Sequence, residues 1–337
     1  MSEEKQFNYG GQAVIEGVMM RGSRALAVAV RNPQGKIVIH TEPLNQAVYG
    51  GRLMKTPFVR GLVLLWDALG LGIKSLMFSA DVSLMEEDDE KANPDDPADA
   101  TPSDAFSTPV QVGTVLLSLT MSIGLFFVLP AFIGGLVEGW IGEPNGTLWS
   151  HIVEGFVRLA LLIGYVSLIA LMEDVRRLYG YHGAEHKTIN AYEDGAELTP
   201  KVVATYPIEH PRCGTAFLLT VVVISIILFT LIPLEPLEVY MHPLLARIVT
   251  RILLLPVVAG IAYEYIRFSA KHLDNPIIRV LTIPNLALQR LTTRPPDETM
   301  IEVAIAAFEK VVNYEQQQEL DVADETVMLV ESAENVA

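Results

Sequence analysis

Four stretches of the chain are uncharged, or nearly so, over the length of a membrane-spanning helix, and they set the frame for the rest. Val112 to Val137 and Gly155 to Met172 contain no Asp, Glu or Lys, with Arg158 near one end of the second. Thr215 to Ile232 is uncharged, and Ile248 to Ile266 carries Arg251 and Glu264 close to its two ends. A helix needs about 20 predominantly apolar residues to cross a bilayer core, so four transmembrane helices are expected. Residues 61–80 are also apolar, but Asp67 and Lys74 stand seven residues apart on one helical face and leave uncharged runs too short to span. An amphipathic or re-entrant helix is expected there. The alternative, a fifth span, would invert the topology of everything after it.

The pattern changes outside these runs. Leu26 to Arg31 and Lys36 to Thr41 are short, partly β-branched stretches separated by Asn32-Pro33-Gln34-Gly35, which has turn chemistry and predicts a hairpin. The glycines of the preceding GGQAVIEGVMMRG at 10–22 match neither a P-loop nor a dinucleotide fingerprint, and are expected in tight β-turns. Near the other end, Pro295-Pro296 precedes apolar positions Met300, Ile301, Val303, Ala304, Ala307 and Phe308 at helical spacing. That face suits either docking on the β-rich region or an exposed partner-binding helix.

The expected fold is an α-helical multi-pass membrane protein with four transmembrane helices, an amphipathic or re-entrant helix, and a small cytosolic α+β domain. In order, it has a β-rich region at 8–57, the surface helix at 58–85, an acidic linker at 86–108 and two spans within 109–172. A His-containing connector at 173–214, two more spans within 215–268, a C-terminal region at 269–314 and an acidic tail at 315–337 follow.

Composition refines this picture. Of the 337 residues half are hydrophobic, and the mean hydropathy of +0.34 agrees with residence in lipid. The net charge of −16 is concentrated: Glu86 to Asp104 holds nine acids and one Lys, and Glu315 to Ala337 holds seven acids and no Lys or Arg. Both stretches are expected to be disordered. With no basic patch interleaved with aromatics, nucleic acid is not an expected partner. Met1-Ser2-Glu3-Glu4-Lys5 lacks the apolar core of a cleavable signal, so internal helices are expected to direct insertion. Lys and Arg are absent from Glu138 to Glu154, whereas Glu173 to Gly214 has five. Positive-inside bias therefore places both termini and the 173–214 connector on the cytoplasmic side of the cytoplasmic membrane.

The chemistry concentrates in that 42-residue connector. His182, Glu185 and His186 form H-x-x-E-H, the order of an inverzincin metal motif, in which stacked imidazoles bind Zn²⁺ and the carboxylate serves as catalytic general base. Gly180 and Gly183 are expected to break the helix this motif requires, leaving a second short helix from Ala184 to Glu193. His210 and Cys213, separated by two residues and just before the third span, are the further expected metal ligands, with Cys213 as fourth ligand or neighbour. The alternative is that these side chains satisfy backbone groups or pair with Arg176, Arg177 or Lys187. Few ionisable residues lie within the spans, so no ion pathway is marked.

GGQAVIEGVMMRG at 10–22, YHGAEHKTINAYE at 181–193, HPRCGTAF at 210–217 and TTRPPDETMIEVAI at 292–305 resemble the YqhQ-like family of bacterial multi-pass membrane proteins. That family is of unknown function and is labelled as predicted metal-dependent enzymes. The resemblance covers residue 8 to about 312 and implies roles for Glu16, His182, Glu185, His186, His210 and Cys213. Two functions follow as expectations: a metal-dependent hydrolase of the membrane surface, or a non-enzymatic scaffold or assembly factor. The expected partners are the lipid bilayer and a second copy or another membrane protein, since Gly124, Gly134, Gly135, Gly164 and Gly260 permit close helix packing.

Overall fold

The computed structural model describes residues 9–45, 52–84, 109–142, 146–232 and 240–334. Its N-terminal region is an antiparallel meander of β1 (Gly10–Val14), β2 (Gly17–Arg21), β3 (Ala25–Arg31) and β4 (Ile37–Pro43), ordered β1-β2-β3-β4. The expected hairpin is β3–β4, with Val30 paired to Val38 and Gly35 in the left-handed region at φ 82°. Strands β2 and β3 are buried on both faces, which explains their unbroken apolar run. Val18, Met20, Ala27 and Ala29 point to one core, and Met19, Leu26, Val28 and Val30 to another.

Helix α1 (Val59–Ser83) closes the second core with Phe78 and Val82. At its other end Arg60 pairs with Glu264. It joins the sheet to the apolar helices and is not among the helices long and apolar enough to cross a membrane. Four described helices are: Gly113–Ile141, Gly146–Ile169, Gly214–Leu231 and Pro243–Lys271. The first comprises α2 (Pro109–Ile123), a π-helical turn (Gly124–Val128) and α3 (Leu129–Ile141); the others are α4, α6 and α7. Exposed Leu117, Phe156, Leu168, Ile227 and Leu253 give these helices the apolar exterior that lipid requires. His151 and Glu154 lie inside α4.

Between the second and third of these helices runs α5 (Glu173–Glu193), and after the fourth come α8 (Pro276–Thr292) and α9 (Glu298–Glu334). The expected break in α5 does not occur. A Cβ at Gly180 would stand 2.7 Å from Met300 Sδ, and one at Gly183 would overlap the Arg294 carbonyl. The two glycines serve close packing against α9 and the segment before it, rather than a turn.

Helix α9 lays Ile301, Val303, Ala304, Ala307 and Phe308 on the sheet and on Tyr181 and Ala184 of α5, so docking accounts for its apolar face. It also continues into the stretch expected to be a disordered tail. Glu315, only 8% exposed, accepts hydrogen bonds from Ser23 N at 2.5 Å, Arg24 N at 2.8 Å and Tyr9 Oη at 3.0 Å. This acid is a clamp on the β2–β3 turn. The expected linker at 86–108 lies outside the described residues.

Candidate metal centre

Because α5 is continuous, His182 and His186 stand one turn apart on one face, with ring centroids 4.4 Å apart. Cys213, the residue preceding α6, joins them. Its Sγ lies 3.3 Å from His182 Nε2, and one potential ligand atom from each of the three residues falls within 4.8 Å of the other two. Ligand atoms around a tetrahedral zinc with ordinary bond lengths stand roughly 3.3–3.8 Å apart, so small side-chain adjustments close this group on an ion.

The remaining ring nitrogens are already committed. His182 Nδ1 bonds the Thr292 carbonyl at 2.8 Å, and His186 Nδ1 bonds the Ile208 carbonyl at 2.6 Å. Each imidazole donating from Nδ1 to a carbonyl presents Nε2 as an acceptor, the arrangement that orients metal-binding histidines. His186 Nε2 is buried and has no hydrogen-bond partner. An orphaned buried acceptor is costly, and two imidazoles with a thiol are the donor set Zn²⁺ prefers. The residues present fit a metal of that class.

The rest of the site is a frame. Residues 293–296 cross α5 as a strap: Arg294 N donates to the Tyr179 carbonyl at 2.9 Å, and Gly183 leaves room for the crossing. Gln289 of α8 holds the backbone of His210 from both sides, accepting from its N–H at 2.9 Å and donating to its carbonyl at 2.8 Å. Asn190 Nδ2 donates to the carbonyls of Pro207 and Glu209, at 2.9 and 3.1 Å, and so fixes the segment that carries Ile208 and His210.

His210 itself lies beside the group rather than in it. Its ring centroid is 5.6 Å from that of His186, and its Nε2 is 3.8 Å from Glu193, which also pairs with Arg212. Burial pushes its pKa down to about 4, so it is neutral near pH 7. Glu185 is buried against β1, where Gly11 admits it: a Cβ at Gly11 would lie 2.9 Å from Glu185 Cγ. Desolvation raises the Glu185 carboxyl to about 7, against the opposing pull of His182 and a hydrogen bond from Gly11 N–H. Glu16, at φ 51° in the β1–β2 turn, pairs with Arg177 and accepts from Tyr181 Oη at 3.3 Å. It ties the turn to α5, outside the metal group.

Sequence reasoning missed Thr292, Gln289 and Ile208. Two of these act through backbone carbonyls and leave no residue-type signal, while Thr292 lies within the quoted TTRPPDE stretch.

Residues 56–314 match the family described as "Protein of unknown function (DUF1385)". The chain belongs to the DUF1385 family. It is similar to "Uncharacterized protein YqhQ" of Bacillus subtilis (strain 168), 32% identical over 308 residues that cover 91% of this chain and 93% of that protein. No solved structure matches it. Within the DUF1385 match fall all the residues of the metal group and its strap; strands β1 to β4 precede it.

Proposed function

We propose that this chain is an integral membrane protein that binds a divalent metal, Zn²⁺ by its donor set, through His182, His186 and Cys213 at the cytoplasmic surface of the membrane. The observation that carries the reading is the pairing of two carbonyl-oriented imidazoles, one with an orphaned buried Nε2, with a thiol 3.3 Å from the other imidazole's Nε2. Three protein ligands are the number found in catalytic zinc centres, whereas closed structural sites have four.

A bound metal of this kind supplies Lewis acidity. Around it, Thr292 and Ile208 hold the imidazole tautomers, and the strap keeps His182 from rotating. Glu185, which precedes His186 in sequence and whose carboxyl is raised by desolvation, would be the general base in a hydrolytic reading. A second reading has its own support. His186 is 1% and Cys213 6% exposed, and the ligands come from α5 and the start of α6, so a metal here would cross-link the cytosolic layer to the spans as in a scaffold.

Elemental analysis of the detergent-purified full chain tests the common claim. About one equivalent of metal in the parent, and its loss in His186→Ala and Cys213→Ser with retained folding, is the expected result. Freshly prepared parent protein without metal would overturn it. Glu185→Gln, retaining metal, separates the two readings, since a scaffold keeps its cellular role in that variant and a hydrolase does not.

A further inference from the structure

The far ends of the apolar helices hold a second polar cluster, roughly 22 Å along α6 from the metal group at 1.5 Å rise per residue. Its rungs come from three helices. Nearest the helix ends, Arg247 of α7 pairs with Glu138 of α3 and donates from Nη1 to Ser150 Oγ of α4 at 2.6 Å. One turn deeper, Arg251 donates from Nε and Nη2 to the two oxygens of Glu154, at 3.2 and 3.3 Å. Glu154 also accepts from Arg158 Nη2 at 2.8 Å, and Arg158 Nε donates to the Phe126 carbonyl at 3.0 Å. Phe126 lies in the π-helical turn, whose altered backbone pairing offers that carbonyl outward.

This cluster is unbalanced. Among the described residues three guanidiniums face two carboxylates, and Glu154 is shared by two of them. Arg251 is 0% exposed and its Nη1 has no hydrogen-bond partner. Phe229 lies 4.3 Å from its guanidinium carbon and stabilises the charge only weakly compared with an anion. A surplus buried positive charge between apolar helices is expensive, and ionisable residues retained at such depth mark a ligand or a pathway. Exposure falls from Glu138, whose side chain is 29% exposed, to Arg251, so the cluster opens toward the helix ends.

We infer that Arg247, Arg251 and Arg158 form a binding site for a singly charged phosphate-type oxyanion, which supplies the missing acceptor at Arg251 Nη1. Planar guanidinium donors match such oxygens in geometry and charge. The oxyanion has two chemical sources, the phosphodiester of an acidic phospholipid or free inorganic phosphate. The inference is independent of the metal reading.

The test uses the full chain in neutral detergent. One arm offers phosphatidylglycerol and phosphatidylcholine in equal amount and counts retained lipids by native mass spectrometry. The other compares unfolding temperature in inorganic phosphate with that in chloride at equal ionic strength. One phosphatidylglycerol retained in preference to phosphatidylcholine identifies a headgroup site, and stabilisation by phosphate without that preference identifies a free-anion site. Neither response in the parent protein overturns the inference without recourse to any variant. In the supporting cases Arg251→Gln weakens the response roughly tenfold or more, the scale of a lost hydrogen bond to a charged group. Arg158→Gln, which removes the same surplus charge, behaves alike, and Arg290→Gln at the exposed Glu209 pair leaves the response intact. Wild-type retention in a folded Arg251→Gln or Arg158→Gln protein overturns the assignment.

Discussion

Glu185 shows how far one residue's surroundings alter its chemistry. Buried beneath β1 and immediately before His186 in sequence, it has a carboxyl raised by desolvation from 4.5 to about 7. A carboxyl raised in the folded state binds its proton more tightly there than in the unfolded chain. Its stabilising contribution is therefore complete below about 4.5 and is lost as pH rises through about 7. Glu185→Gln has no charge to bury. In chelator, the stability of the variant relative to the parent is expected to increase between about pH 5 and pH 8, read from thermal unfolding at a series of pH values. A constant difference across that window would show that the carboxyl is not desolvated as described.

At the scale of elements, the metal group depends on an unbroken α5, and the close packing of α5 against α9 and the strap depends on Gly180 and Gly183. Gly183→Ala would drive a methyl group into the Arg294 carbonyl and lift the strap that carries the Thr292 acceptor for His182. Overpacking of this kind costs about 1–3 kcal/mol. The expected result is lower thermal stability together with weaker metal retention. Unchanged values for both would mean that the strap does not orient His182. The same two residues show why part of the site was illegible in sequence. A glycine reads locally as a helix breaker, and the carbonyl that requires it arrives from more than 100 positions away. His182, His186 and Cys213 were legible because imidazole and thiol carry a chemical signature. His210 carries the same signature but is turned toward Glu193, with its backbone held by Gln289 and the segment before it by Asn190. The apolar spans and the docking stripe of α9 were readable because period and length alone define them. The Arg251–Glu154 contact was not, since neither charge looks exceptional near the end of its own helix.

For the whole molecule, the decisive contact is between its two ends. The sheet from Gly10 to Pro43 and helix α9 share one hydrophobic core, and Glu315 closes the β2–β3 turn across 292 positions of sequence. The sheet and the C-terminal helix must therefore lie on one side of any membrane the four apolar helices cross, which agrees with an even number of spans. The C-terminal half of α1 packs under the sheet, and with the four apolar helices as the spans the excess of Lys and Arg in the α5 connector predicts a cytoplasmic location for that side. Green fluorescent protein fused after the last residue is expected to fluoresce, and alkaline phosphatase fused into the α3–α4 connector to be active. The reversed pattern would invert the orientation, place His182, His186 and Cys213 on the external face, and expose the Cys213 thiol to an oxidising compartment in which a thiol-ligated metal is harder to retain.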